Sequence, residues 1–100
     1  MYEARHSAGF TVIRGAGELG VAELGAIAAL AAEARREGRM AIVDLRQVTH
    51  LHYAGAALLK EIPGIRAVGA SRYVRDLVRA GGAGSYVEFH DDVEEALRAA

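Results

Sequence analysis

The sequence predicts a small α/β domain: an open, mostly parallel sheet of about five strands with an N-terminal hairpin and four helices. Three observations predict it. After two opening strands, apolar β-branched runs alternate with helical patterns, which implies parallel strands joined by right-handed crossovers. Met40-Ala41-Ile42-Val43-Asp44-Leu45 is a short apolar run closed by the polar pair Arg46-Gln47, the pattern of a central strand buried on both faces. The 100 residues, 52% of them hydrophobic, allow one domain over residues 1–100 with one modest core.

The elements follow in order. Tyr2 to Arg5 reads as an edge strand and Ser7-Ala8-Gly9 as a turn. Phe10-Thr11-Val12-Ile13-Arg14 is a strand rich in β-branched residues, ended or bent by Gly15-Ala16-Gly17. Gly20 to Gly38 carries the longest helical pattern. Val21, Leu24, Ile27, Ala28, Ala31 and Ala34 make one apolar face, with Glu23 early and Arg35-Arg36 late, as the helix dipole favours. Gly25 inside this helix suggests close packing on a sheet. The central strand Met40 to Leu45 comes next, then a loop, then a small-residue helix from Ala54 to about Glu61, which Pro63 must end. Ile65-Arg66-Ala67-Val68 is a short strand. Ser71 is a good N-cap for a helix striped by Val74, Leu77 and Val78 and stopped at Gly81. Tyr86-Val87-Glu88-Phe89 alternates as a half-buried strand, and Asp91-x-x-Glu94 is a capping box for a last helix burying Val93, Ala96, Leu97 and Ala100.

Composition excludes several classes. A net charge of −1 gives no general electrostatic reason to bind nucleic acid or an anionic membrane. The absence of Cys removes disulfide and thiolate chemistry. No apolar run approaches the roughly 20 residues of a spanning helix, and the N-terminus has no signal pattern, so direct membrane insertion is not expected and the reading is a cytoplasmic protein. Gly81-Gly82-Ala83-Gly84 lacks the Lys-Ser/Thr of a phosphate loop, and no nucleophile is paired with a base. The expectation is a non-enzyme without cofactor or metal.

The stretch from Val48 to Leu59 is where function is expected. A loop leaving the carboxyl end of a central strand for a helix N-terminus is the usual working surface of α/β folds, and the free N–H groups there favour an anion or an acidic partner. Tyr53 at the helix start is read as an interface anchor, as a cover for the loop or as a phosphotyrosine switch. His50 and His52 form an H-x-H pair that could begin a metal site on a strand, though nothing nearby in sequence completes it. As loop residues they would flank a core-facing Leu51. Thr49 is either a phospho-acceptor or a strand-end hydroxyl bonding backbone. The Arg72, Arg75 and Arg79 stripe reads first as a solvated face.

The order of elements and four pieces of sequence together resemble the STAS domain of bacterial anti-sigma factor antagonists, over roughly Phe10 to Ala100. Gly17-Glu18-Leu19 is similar to the family's lead into its first helix. Ile42-Val43-Asp44-Leu45-Arg46-Gln47-Val48-Thr49 is similar to its apolar strand with Asp-Leu and Val-Thr. Ala54-Gly55-Ala56-Ala57-Leu58-Leu59 resembles the start of its second helix, and Val87 to Leu97 its last strand and helix. In the family the pivotal turn usually reads Asp-Ser-(Ser or Ala)-Gly, and a partner kinase phosphorylates the Ser to break the complex. Here His52 and Tyr53 stand at the Asp and Ser positions, and Gly20 stands where Asp is frequent.

The resemblance therefore implies the fold and the binding face without the phosphoserine switch. The face would comprise Thr49, His50, His52, Tyr53, Ala54 and Gly55, with Gly20 and Val21 beside them. The expected function is a regulatory protein–protein interaction module docking an anti-sigma factor kinase-like ATP-binding protein. The alternative is a cytoplasmic accessory STAS subunit of an ABC-type lipid transporter, docking the transporter ATPase.

Overall fold

The computed structural model describes residues 1–99; the expected burial of Ala100 lies outside them. Ten elements follow one another: β1 (Tyr2–Ser7), β2 (Phe10–Leu19), α1 (Val21–Arg36), β3 (Met40–Leu51), α2 (Tyr53–Ala56), a 3-10 segment (Ala57–Glu61), β4 (Arg66–Val68), α3 (Arg72–Ala80), β5 (Glu88–His90) and α4 (Val93–Arg98). The strands form one sheet in the order β1-β2-β3-β4-β5. The β1–β2 pair is antiparallel and the other pairs are parallel. The predicted architecture, a hairpin followed by parallel strands with helical crossovers, is the one observed.

The sheet buries both faces unequally. On one face Ile13, Val43, Leu45, Val48 and Leu51 pack against Leu24, Ile27, Ala31 and Ala34 of α1 and Val74 and Val78 of α3. On the other, Ile42 and Val68 pack against Ala96 of α4. α4 is held by Arg66 of β4, whose guanidinium donates to the carbonyls of Ala96 and Ala99 at the helix C-terminus. A cation there also suits the helix dipole. Among the described residues no helix is long and apolar enough to cross a membrane.

Several expectations need correction. The longest concerns β3, which runs six residues past Leu45, so Val48 to Leu51 is strand and not loop. Its register against β2 slips twice: Arg14 faces Asp44 but Ala16 faces Gln47, and Gly17 faces Val48 but Glu18 faces His50. Each slip is a bulge with an extra residue on β3. The bulges turn Leu45, Val48 and Leu51, three residues apart, into the same core, which a regular two-residue alternation cannot do. β2 likewise continues through Gly15–Gly17 to Leu19, with Gly17 at φ +72°.

The remaining corrections are local. The expected helix Ala54–Glu61 is a single α-turn continued as a 3-10 segment. Val21, assigned to the apolar face of α1, is 47% exposed. Gly25 faces Leu58 of the 3-10 segment and not the sheet. β5 starts two residues later than Tyr86. The cap of α4 is Asp92, whose carboxylate accepts from Glu95 N at 2.8 Å, one residue later than the expected Asp91-x-x-Glu94 box. Ser71 caps α3 as expected, accepting from Val74 N at 3.2 Å.

Gly55 sets how closely α2 approaches α1. A Cβ there would meet Leu24 Cδ1 at 2.7 Å and the Val21 Cα at 3.1 Å. Gly55→Ala is expected to destabilise the fold by about 1–2 kcal/mol, since the backbone contact cannot yield as a side chain can. Urea unfolding measures it, and an unchanged midpoint would show that the helices separate freely.

Candidate functional site

The candidate site is the surface where β3 ends and α2 begins. The second bulge leaves Thr49 as the extra residue of β3, exposed and with no side-chain hydrogen bond among the described residues. His50 lies at the strand end, where its Nδ1 is 2.7 Å from the hydroxyl of Tyr73 in the first turn of α3. The two rings are tilted at 33° with centroids 5.8 Å apart. Leu51 is fully buried and anchors the strand end.

His52 terminates the strand and caps α2. Its Nδ1 accepts from Ala54 N at 3.2 Å. Its carbonyl accepts from Gly55 N at 3.0 Å and Ala56 N at 2.9 Å. These bonds narrow the expected open anion site: the N–H groups of Ala54, Gly55 and Ala56 are already satisfied by His52. The imidazole also stacks on the Tyr53 ring, with centroids 5.1 Å apart and 16° between planes. Tyr53 is 59% exposed, so its ring points outward from this stack.

The predicted residues fall into two groups. Thr49, His52, Tyr53, Ala54, Gly20 and Val21 are exposed, and His50 is half-buried. His52 N donates to Leu19 O at 3.0 Å, which ties the cap of α2 to the strand end preceding Gly20 and Val21. Gly55 is buried between α1 and α2 and serves to seat the helix. The H-x-H pair divides its work, one ring bonding α3 and the other capping α2. Among the described residues no group of three or more His, Cys, Asp or Glu is placed to hold a metal ion.

Sequence reasoning missed Tyr73 and Gly81. Tyr73 is 53% exposed and sits off the Val74–Val78 stripe, and an aromatic residue off an apolar stripe was the available signal. Gly81 lies under Tyr53: a Cβ on it would stand 2.4 Å from the Tyr53 carbonyl oxygen. No sequence pattern announces that long-range contact. The arginine stripe is largely occupied within the fold. Arg75 and Arg79 lie 5.3 and 5.9 Å from the Phe89 ring centroid, and Arg79 also pairs with Asp76 at 3.2 Å.

Shallow clefts of about 150, 280 and 270 Å³ occur elsewhere on the molecule, and none includes Tyr53. Small-molecule sites are usually concave and about 300–1,000 Å³. The surface around Tyr53 instead presents the exposed Tyr53 and Tyr73 rings.

No family model matches the sequence, and no curated protein matches it. Solved structures do match. The structure of the anti-sigma factor antagonist SpoIIAA in its unphosphorylated form is similar at a TM-score of 0.70 and 21% identity, over 99% of this chain and 95% of that one. The chain has a STAS-like fold. The Bacillus cell fate determinant SpoIIAA in its phosphorylated form is similar at 0.65 and 18%, over all of both chains. A Shewanella loihica PV-4 protein with a SpoIIAA-like fold is similar at 0.59 and 15%, over 99% of this chain and 91% of that one. At these identities the likeness is one of fold. Tyr53 itself stands on the first turn after β3.

Proposed function

We propose that this chain is a non-enzymatic regulatory module that docks a protein partner through the surface around Tyr53. One observation carries the reading: Tyr53, stacked on His52, and Tyr73, bonded to His50, present two exposed aromatic rings at the end of the longest strand. Tyrosine offers large apolar area with a polar end and little conformational freedom to lose, which is why it anchors interfaces. The partner class is an anti-sigma factor kinase-like ATP-binding protein, supported by the fold-level likeness to an anti-sigma factor antagonist. With Tyr53 at the position of the usual phospho-acceptor serine, docking is constitutive or controlled elsewhere. A phenol carries its oxygen several ångströms further from the backbone than a serine does.

Affinity purification of the tagged chain from its native cells tests the reading. The expected result is recovery of a kinase-like ATP-binding protein, with an intact bait mass that shows no added phosphate. Recovery of a transporter ATPase with its permease would replace the regulatory reading by that of an accessory subunit. A phosphorylated bait would overturn the switchless reading.

A further inference from the structure

Among the described residues the outer edge of β1 is unpartnered, and its sequence is self-complementary. We infer that two copies of this chain pair antiparallel along β1, about a two-fold axis at Ala4, into one continuous sheet.

Hydrogen-bond parity comes first. β1 pairs with β2 without a bulge, from Tyr2 opposite Gly15 to Ser7 opposite Phe10, and closes through the two-residue turn Ala8-Gly9. Ala16 N donates to Met1 O at 2.9 Å, so the odd-numbered residues of this strand bond inward to β2. In an antiparallel ladder the alternate residues then direct N–H and C=O outward, which here are Tyr2, Ala4 and His6. β1 is the sheet edge, and α1 packs mainly on β2 and β3 and touches β1 less. The strand has none of the usual edge protection by bulge, proline or short length. The opposite edge, β5, is only three residues long.

Charge then selects the occupant and the register. Glu3 and Arg5 are exposed, and neither takes part in an ion pair among the described residues. Pairing about Ala4 sets Ala4 opposite Ala4 and Tyr2 opposite His6 as hydrogen-bonded pairs, which uses every outward N–H and C=O of the strand. Glu3 then faces Arg5 of the second copy, and Arg5 faces its Glu3. These are the non-hydrogen-bonded positions, where opposed side chains are closest. A slip of the axis to Glu3 sets carboxylate against carboxylate, and a slip to Arg5 sets guanidinium against guanidinium. Both slips are disfavoured, so one register is specified. Such an interface is smaller than the roughly 1,200 Å² of stable complexes, so the dimer is weak and concentration-dependent.

Sedimentation equilibrium of the full chain, from about 10 μM to about 1 mM, tests this. A reversible monomer–dimer equilibrium is expected. Ala4→Pro removes an outward N–H, which an edge strand tolerates, and is expected to leave a monomer with an unchanged circular dichroism spectrum. Glu3→Arg is expected to weaken the dimer at least tenfold. Adding Arg5→Glu to it restores opposite charges and is expected to return the dissociation constant to within about threefold of the original. A wild type monomeric throughout, a dimer that Ala4→Pro leaves intact, or a double swap no better than the single one would each overturn the inference.

Discussion

Asp44→Asn is expected to cost about 2–3 kcal/mol of stability near neutral pH, a cost that fades below about pH 4. Asp44 lies in mid-β3 with its side chain 3% exposed. Its Oδ1 accepts from Arg46 N at 3.0 Å and Arg46 Nε at 3.1 Å, and its Oδ2 accepts from Arg46 Nη2 at 2.8 Å. Arg14 Nε of β2 adds an ion pair at 3.5 Å. The backbone bond falls at the first bulge of β3, where the Arg46 N–H has left the ladder and needs an acceptor. Asp44 therefore fastens the bulge that redirects the strand toward the Tyr53 surface. Asparagine keeps the shape and one acceptor but removes the charge facing two guanidinium groups.

The pH dependence follows from the same contacts. Burial alone would raise the Asp44 carboxyl. The hydrogen bonds from Arg46, with the charges of Arg46 and Arg14, outweigh it and hold the carboxyl below its ordinary range. A carboxylate depressed on folding contributes stability above its unfolded-state pKa of about 3.9, and that contribution is lost as pH falls through the folded value. Urea unfolding of wild type and Asp44→Asn near neutrality and at about pH 3 measures the difference. The gap between the two proteins narrows on acidification. An equal gap at both pH values would mean that the charge is not what Asp44 contributes.

This bulge also explains what the sequence revealed and what it hid. Strand-helix alternation, the Met40–Leu45 run and the Ser71 cap gave the element order because each is a local pattern. The extension of β3 was hidden because Leu45, Val48 and Leu51 recur every three residues, a spacing that breaks strand periodicity and is produced only by two register slips against β2. The turn into α2 at His52 and Tyr53 was legible as a feature of the fold. Its chemistry was not, because the expected free helix N-terminus is filled by His52, and neither its ring bond to Ala54 N nor its carbonyl bonds follow from spacing. Tyr73 and Gly81 reach the site only through the packing of α3, at sequence distances that no motif spans.

Tyr53→Ala is expected to weaken binding to the recovered partner about 30-fold or more, the loss typical of a central aromatic anchor worth about 2 kcal/mol. The ring is both exposed and held. Stacking on His52 limits its motion before any partner arrives, so little ordering cost opposes docking. The Tyr53 carbonyl is wedged over Gly81, where even a methyl group would collide with it. Tyr53→Phe separates the two contributions: near-wild-type affinity assigns the energy to buried ring area, and a large loss assigns it to the hydroxyl. Tyr73→Phe removes only the bond to His50 and is expected to cost a few-fold by loosening the second ring. Glu94→Ala on α4, across the sheet and exposed, is the control and is expected to leave affinity unchanged. Titration calorimetry with the partner measures all four. If Tyr53→Ala binds as tightly as wild type, the docking face lies elsewhere, and the stacked pair is then a local cover for the β3–α2 junction.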